Sequence, residues 1–129
     1  MTEPTAPTGY ASVEERNWAV LTHVLAAVGV LFSGVGGWVM PLVSYVTKGS
    51  SSPTLRAHAV SALNFNITWA AIDLVLAIIG NCAGLFGMPG LRWLLSIVFV
   101  IPLVFNIIAA VRANDGKQYQ HPLAYPVLK

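Results

Sequence analysis

The sequence predicts an all-α integral membrane bundle of four helices, the first two short and joined at a glycine-rich break, with both termini on the same side. Two observations carry this prediction: three long stretches almost free of charge, and a lopsided distribution of the few cations between them. Residues 17–47 contain no Asp, Glu, Lys or Arg, residues 59–80 contain one acid (Asp73), and residues 93–111 contain none. Crossing the roughly 30 Å hydrocarbon core takes about 20 helical residues, so each stretch is long enough. Hydrophobic residues make up 56% of the chain and charged residues 9%, against about 25% charge in soluble domains. The bilayer is therefore the expected solvent.

Residues 1–12 read as a disordered N-terminal tail, rich in Pro and small polar residues and without the basic region of a signal peptide. The first helix, about 14–32, starts after Ser12, with Glu14 and Glu15 at the positive end of its dipole. A single helix over residues 17–47 would be about 46 Å long, too long for one upright span and too short for two ordinary ones. Ser33-Gly34-Val35-Gly36-Gly37 supplies a break, and Pro41 suits the first turn of a restarted helix. Two shortened helices, about 14–32 and 37–47, follow; one kinked helix is the alternative.

Residues 48–54 (KGSSSPT) form a polar loop, and a third helix covers about 54–80. Gly84, Gly87, Pro89 and Gly90 mark residues 81–90 as a short turn. A last helix, about 91–113, tolerates Pro102 in the bilayer and ends at Asn114-Asp115-Gly116. The membrane domain thus covers 13–116, with 117–129 as a cytoplasmic C-terminal tail. With four segments, Arg16, Lys48, Arg56, Arg112, Lys117 and Lys129 share one face and Arg92 lies alone on the other. With three segments Arg16 changes sides. The positive-inside rule favours the first arrangement and places both termini in the cytoplasm of a bacterial cell membrane.

The same residues exclude several functions. A net charge of +2 without a basic-aromatic stripe does not suit nucleic acid. Cys82 is the single cysteine, so neither an intrachain disulfide nor a cysteine metal site is expected. His23, His58 and His121 lack zinc-ligand spacing, and Gly34-Val35-Gly36-Gly37 lacks the rest of a phosphate-binding motif. No enzyme, cofactor or metal is expected; the expected partners are the lipid bilayer and another membrane protein or a second copy of the chain.

Polar residues inside the membrane must find partners, so they are the candidate sites. Helix counting puts His23, His58 and Asn64 at one depth near the cytoplasmic side, where Tyr119 from the tail can join them in a polar cluster. His121 is expected to lie outside this cluster and to be dispensable. Asp73 lies deeper, on one face of the third helix with Asn66, and Arg92 can snorkel towards it. Small residues interleaved with these groups (Ala19 and Ala26 around His23, Ala110 and Ala113 after Asn106) are the pattern of closely packed membrane helices.

Arg16, Trp18, Ala19 and His23, then Pro41-Leu42, Tyr45, His58-Ala59, Ala62-Leu63-Asn64-Phe65, Ala113-Asn114-Asp115-Gly116, Tyr119 and Pro122 resemble a small bacterial membrane family, domain-of-unknown-function family 4870. That family is similar to the twenty-kilodalton subunit of the chloroplast Tic translocon. The resemblance covers residues 14–123 and implies four membrane helices, without implying a chemistry. Together these observations point to a non-enzymatic accessory or scaffold subunit of a membrane assembly. A small oligomeric transporter or ion or proton channel, with Asp73, Asn66 and His23 lining its path, is the alternative.

Overall fold

A computed structural model describes residues 9–129; the expected tail over residues 1–12 lies mostly outside them. The described chain is helical in five α segments: α1 (Val13–Ser33), α2 (Val39–Lys48), α3 (Pro53–Leu85), α4 (Pro89–Ser96) and α5 (Val100–Asn114). Three helices, Val13–Ser33, Pro53–Leu85 and Pro89–Asn114, are long and apolar enough to cross a membrane. The chain is inverted relative to a soluble domain. Phe32, Leu85, Phe86 and Trp93 lie exposed, while Thr22, His23, Ser44, His58, Asn66 and Asn106 are buried. In lipid this is the stable arrangement, because apolar side chains lose nothing outside and polar ones find partners only inside.

Local chemistry starts and stops each helix. Ser12 caps α1 by accepting from the Glu15 amide (3.1 Å), and Glu15 Oε2 accepts in return from the Ala11 amide (2.6 Å). The reciprocal pair satisfies two amides at the helix start. Gly34, at φ 71°, ends α1, and a 3₁₀ turn over Gly36–Trp38 leads into α2. With ten residues, α2 is about 15 Å long, and the 3₁₀ turn adds about 6 Å. It folds back along α1: Lys48 pairs with Glu14 (3.2 Å) and lies over the Trp18 ring (5.1 Å). Midway, Thr22 Oγ1 and Ser44 Oγ meet at 2.6 Å; Thr22 spends its hydrogen on the Trp18 carbonyl, so Ser44 donates.

Ser52 caps α3 by accepting from the Leu55 amide (3.0 Å), with Pro53 in the first turn. The helix then runs 33 residues to Leu85. The sequence placed a turn at residue 81; the structure carries α3 five residues further and confines the turn to Phe86–Met88. Asn81 stays helical by donating to the Ala77 carbonyl (2.7 Å). The last apolar stretch is divided rather than continuous. A 3₁₀ turn at Ile97–Phe99 separates α4 from α5, just ahead of Pro102, whose missing amide leaves the Val98 carbonyl without its helical donor. The two halves have different neighbours, α4 lying on α3 and α5 on α1. Gly80 permits the first contact, since a Cβ there would stand 3.1 Å from Arg92 Cα.

The segment after α5 packs back against α3. Residues 117–129 were expected to form a tail that meets the bundle only through Tyr119; instead residues 119–129 double back along α3 as a docked loop. Ser61 Oγ donates to the Tyr119 carbonyl (2.9 Å), the Tyr125 amide donates to Thr68 Oγ1 (2.9 Å), and the chain then returns. Asn64 holds Leu128 from both ends, donating to its carbonyl (2.9 Å) and accepting from its amide (2.7 Å), and Arg56 reaches the Lys129 carbonyl (3.2 Å). Thr68 lies about 22 Å along α3 from its start. Irregular backbone packed on an apolar helix is stable only when its polar groups are satisfied, and Ser61, Asn64 and Thr68, on one helical face, satisfy it.

Candidate functional site: a buried histidine cluster under the re-entrant loop

All three histidines of the chain converge. His23 Nε2 lies 3.2 Å from His58 Nδ1, and the His23 and His121 rings are 5.5 Å apart between centroids. Phe65 stacks on His121 at 4.6 Å, and Tyr119 meets it edge-on at 5.0 Å. His23 and His58 are fully or almost fully buried, and His121 is 9% exposed. The small neighbours Ala19, Ala26, Ala59 and Ala62 are all fully buried, which lets the rings approach.

The hydrogen-bond partners fix the tautomers. Tyr10 donates its hydroxyl hydrogen to the Ala113 carbonyl (2.6 Å), so its oxygen accepts from His58 Nε2 (3.3 Å). Burial, reinforced by the Glu15 carboxylate, raises the Tyr10 pKa and keeps this donor protonated. His58 Nδ1 is then bare and accepts from His23 Nε2, leaving His23 Nδ1 without a hydrogen. Ser61 spends its hydrogen on Tyr119, so His121 Nδ1 donates to Ser61 Oγ (2.9 Å), leaving His121 Nε2 bare. His23 Nδ1 and His121 Nε2 are buried atoms with no partner in the structure. Three neutral imidazoles with fixed polarity tie together residue 10, α1, α3, the end of α5 and the loop.

The structure redraws the cluster expected from sequence. His23 and His58 meet, but Asn64 bonds Leu128 of the loop rather than a histidine, and Tyr119 enters through its carbonyl and ring edge. His121, expected to be dispensable, is at the centre, because Pro122 and Leu123 (φ 55°) turn the chain back over it. Tyr10 and Ser61 were missed. The missed signal was the spacing of Ser61, Asn64 and Thr68, which puts three hydrogen-bonding side chains on one stripe of α3.

His121 sets a pH dependence. Its burial, with His58 nearby, lowers its pKa from 6.5 to about 4. A charged His121 carries a proton on Nε2 that no acceptor faces, so the docked loop binds fewer protons than a released one. The contribution of His121 to docking is fully present above pH 6.5 and is lost as pH falls from 6.5 towards 4. A spin label on Leu123→Cys in a Cys82→Ser background is expected to become mobile over this range. The step shrinks in His121→Asn; equal mobility at pH 7 and pH 4 in the parent would refute the assignment.

The deeper candidates separate. Asn66 is locked to Asn106 by two reciprocal amide bonds (3.1 and 2.8 Å), and each also donates to its own helix, at the Ala62 and Pro102 carbonyls. It does not share a path with Asp73. Asp73 is half-buried beside a cavity of about 370 Å³ between α1, α3 and α4, lined also by Asn81 and Arg92. Asp73 Oδ2 has no partner, and Arg92, expected to snorkel towards it, forms no ion pair; Glu14–Lys48 is the one ion pair among the described residues. Along α3 the order is histidine cluster, Asn66 pair, Asp73 cavity, and no lining residue of the cavity belongs to the cluster. Among the described residues no group of three or more His, Cys, Asp or Glu is arranged to hold a metal ion.

No curated protein and no solved structure matches the chain. A family model does, over residues 14–128, and its family is not the one the sequence motifs resembled. The likeness to domain-of-unknown-function family 4870 and to the chloroplast Tic subunit is therefore corrected: short signposts such as His58-Ala59 and Ala113-Asn114-Asp115-Gly116 mark packing and helix ends, which a whole-length match weighs together with everything between them. This small multi-pass membrane protein belongs to the magnetosome magnetite crystal formation protein family, MamF_MmsF.

Proposed function

We infer that the chain is a non-enzymatic accessory or scaffold subunit of the magnetosome membrane, taking part in magnetite crystal formation through contacts with a partner protein or a second copy. The observation carrying this reading is the inward consumption of polar groups. The Asn66–Asn106 pair and the Thr22–Ser44 bond are closed within the bundle, and the histidine cluster bonds only to groups of the same chain, while the exterior is apolar. Such a molecule offers surface and shape rather than a reactive centre, and a bundle of this size has little interior for a private pathway. The separation of the Asp73 cavity from the cluster weighs against the transporter alternative. In this reading the chain crosses four times, α2 with its 3₁₀ turn as a shortened span, and both termini face the cytoplasm. The six-to-one cation split supports that orientation.

One experiment in two arms tests the reading in magnetosome membranes. Impermeant thiol reagents are expected to reach Cys82, which is exposed, and an added Val35→Cys from the same, non-cytoplasmic side. Crosslinking followed by purification in mild detergent is expected to recover the chain with a partner or a second copy. Labelling from opposite sides would overturn the topology, and recovery of a monomer alone would overturn the scaffold role.

A further inference from the structure

We propose that the groove between α1 and α5 is a binding site for one anionic phospholipid, its acyl chain in the groove and its phosphate at the end near Arg16. The groove holds about 500 Å³ and is walled by Val20, Val24, Ala27 and Leu31 on one side and Ile107 and Ala110 on the other. The small side chains Ala27 and Ala110 hollow its floor. From Val20 to Leu31 it runs about 16 Å along α1, half of the roughly 30 Å hydrocarbon core and thus the depth of one leaflet. A chain lying there replaces disordered lipid contacts with fitted ones.

The occupant is chosen by the charges at one end. Arg16 stands four residues before Val20, on the same face of α1, and its Nε is buried without a hydrogen-bond partner. At the same end α5 finishes beside Tyr10, which bonds the Ala113 carbonyl, and Arg112 and Lys117 follow on either side of the groove residue Asn114. The acids of α1 are already engaged: Glu14 with Lys48 (3.2 Å), Glu15 with the Ala11 amide (2.6 Å) and with Ser52. Asp115 is the remaining acid against three cations. A phosphodiester completes the Arg16 guanidinium with charge-assisted bonds of the kind arginine favours, and a zwitterionic lipid, whose ammonium would meet the same cations, is selected against.

Native mass spectrometry of the full chain released from micelles, with phosphatidylglycerol and phosphatidylcholine offered together, tests this. One phosphatidylglycerol is expected to be retained in preference to phosphatidylcholine. Arg16→Gln should reduce that preference about tenfold, the effect of losing one charge-assisted bond. Ala110→Trp, or Val24→Trp if the first does not fold, should abolish retention of both lipids by filling the groove. Equal retention of the two lipids by the parent, or retention unchanged in a folded groove-filled variant, would overturn the site. Efficient crosslinking between copies through Ala27→Cys would overturn it too, by giving the groove to a second molecule.

Discussion

Deleting residues 119–129 is expected to abolish cooperative unfolding of the bundle or to lower its midpoint steeply. The deletion strips partners from Ser61, Asn64 and Thr68 and removes His121 from its place between Phe65 and His23. Losing a buried hydrogen-bond partner costs about 1–3 kcal/mol, with membrane helices at the low end. Several such losses together approach the roughly 5–15 kcal/mol that holds a typical domain folded. Thermal unfolding in detergent, followed by circular dichroism, reads the effect. Replacing the outward residues Leu123 and Val127, which are 75% and 50% exposed, with Ser should cost far less than the deletion. A midpoint unmoved by the deletion would show that the loop merely rests on α3.

The second large effect is at Gly37. A Cβ on this residue would overlap Asn66 Oδ1 and stand 2.6 Å from Val30 Cγ2. Gly37→Ala must therefore lift the 3₁₀ turn away from α3 or break the Asn66–Asn106 pair. Overpacking costs about 1–3 kcal/mol, and a side-chain hydrogen bond between membrane helices adds about 0.6 kcal/mol on average. The decisive measurement is a double-mutant cycle with Asn66→Ala, which clears the overlapping oxygen. The two substitutions together should cost less than the sum of each alone; strict additivity would mean that Gly37 matters for another reason.

These two predictions also mark where the sequence was legible. The uncharged stretches reveal membrane helices because that signal is compositional and survives without knowledge of any contact. The glycine break before Trp38 was visible as punctuation, but its contact with Asn66 was not, because a glycine's neighbour across a bundle leaves no mark on local sequence. The run past residue 81 was misjudged for a related reason. Gly84 meets no neighbour and Asn81 bonds its own helix, so residues that usually stop a helix cost little there. In the site, spacing along α1 and α3 put His23 and His58 at one depth, since helical rise is a local property. The place of His121 depended on a reversal at Pro122-Leu123 that folds eleven residues onto a polar stripe, and a reversal of that kind is decided by the surface it lands on.

The re-entrant loop also imposes an order on biogenesis. Residues 119–129 follow the membrane helices in the chain, so Ser61, Asn64 and Thr68 stay uncovered until those residues dock. The inserted chain passes through a stage in which a hydrophilic seam on α3 is open to whatever chaperone or insertase stands beside it, and it is sealed by the chain's own later residues. A chain cut after residue 116 would keep that seam open and display it as a mark for membrane quality control.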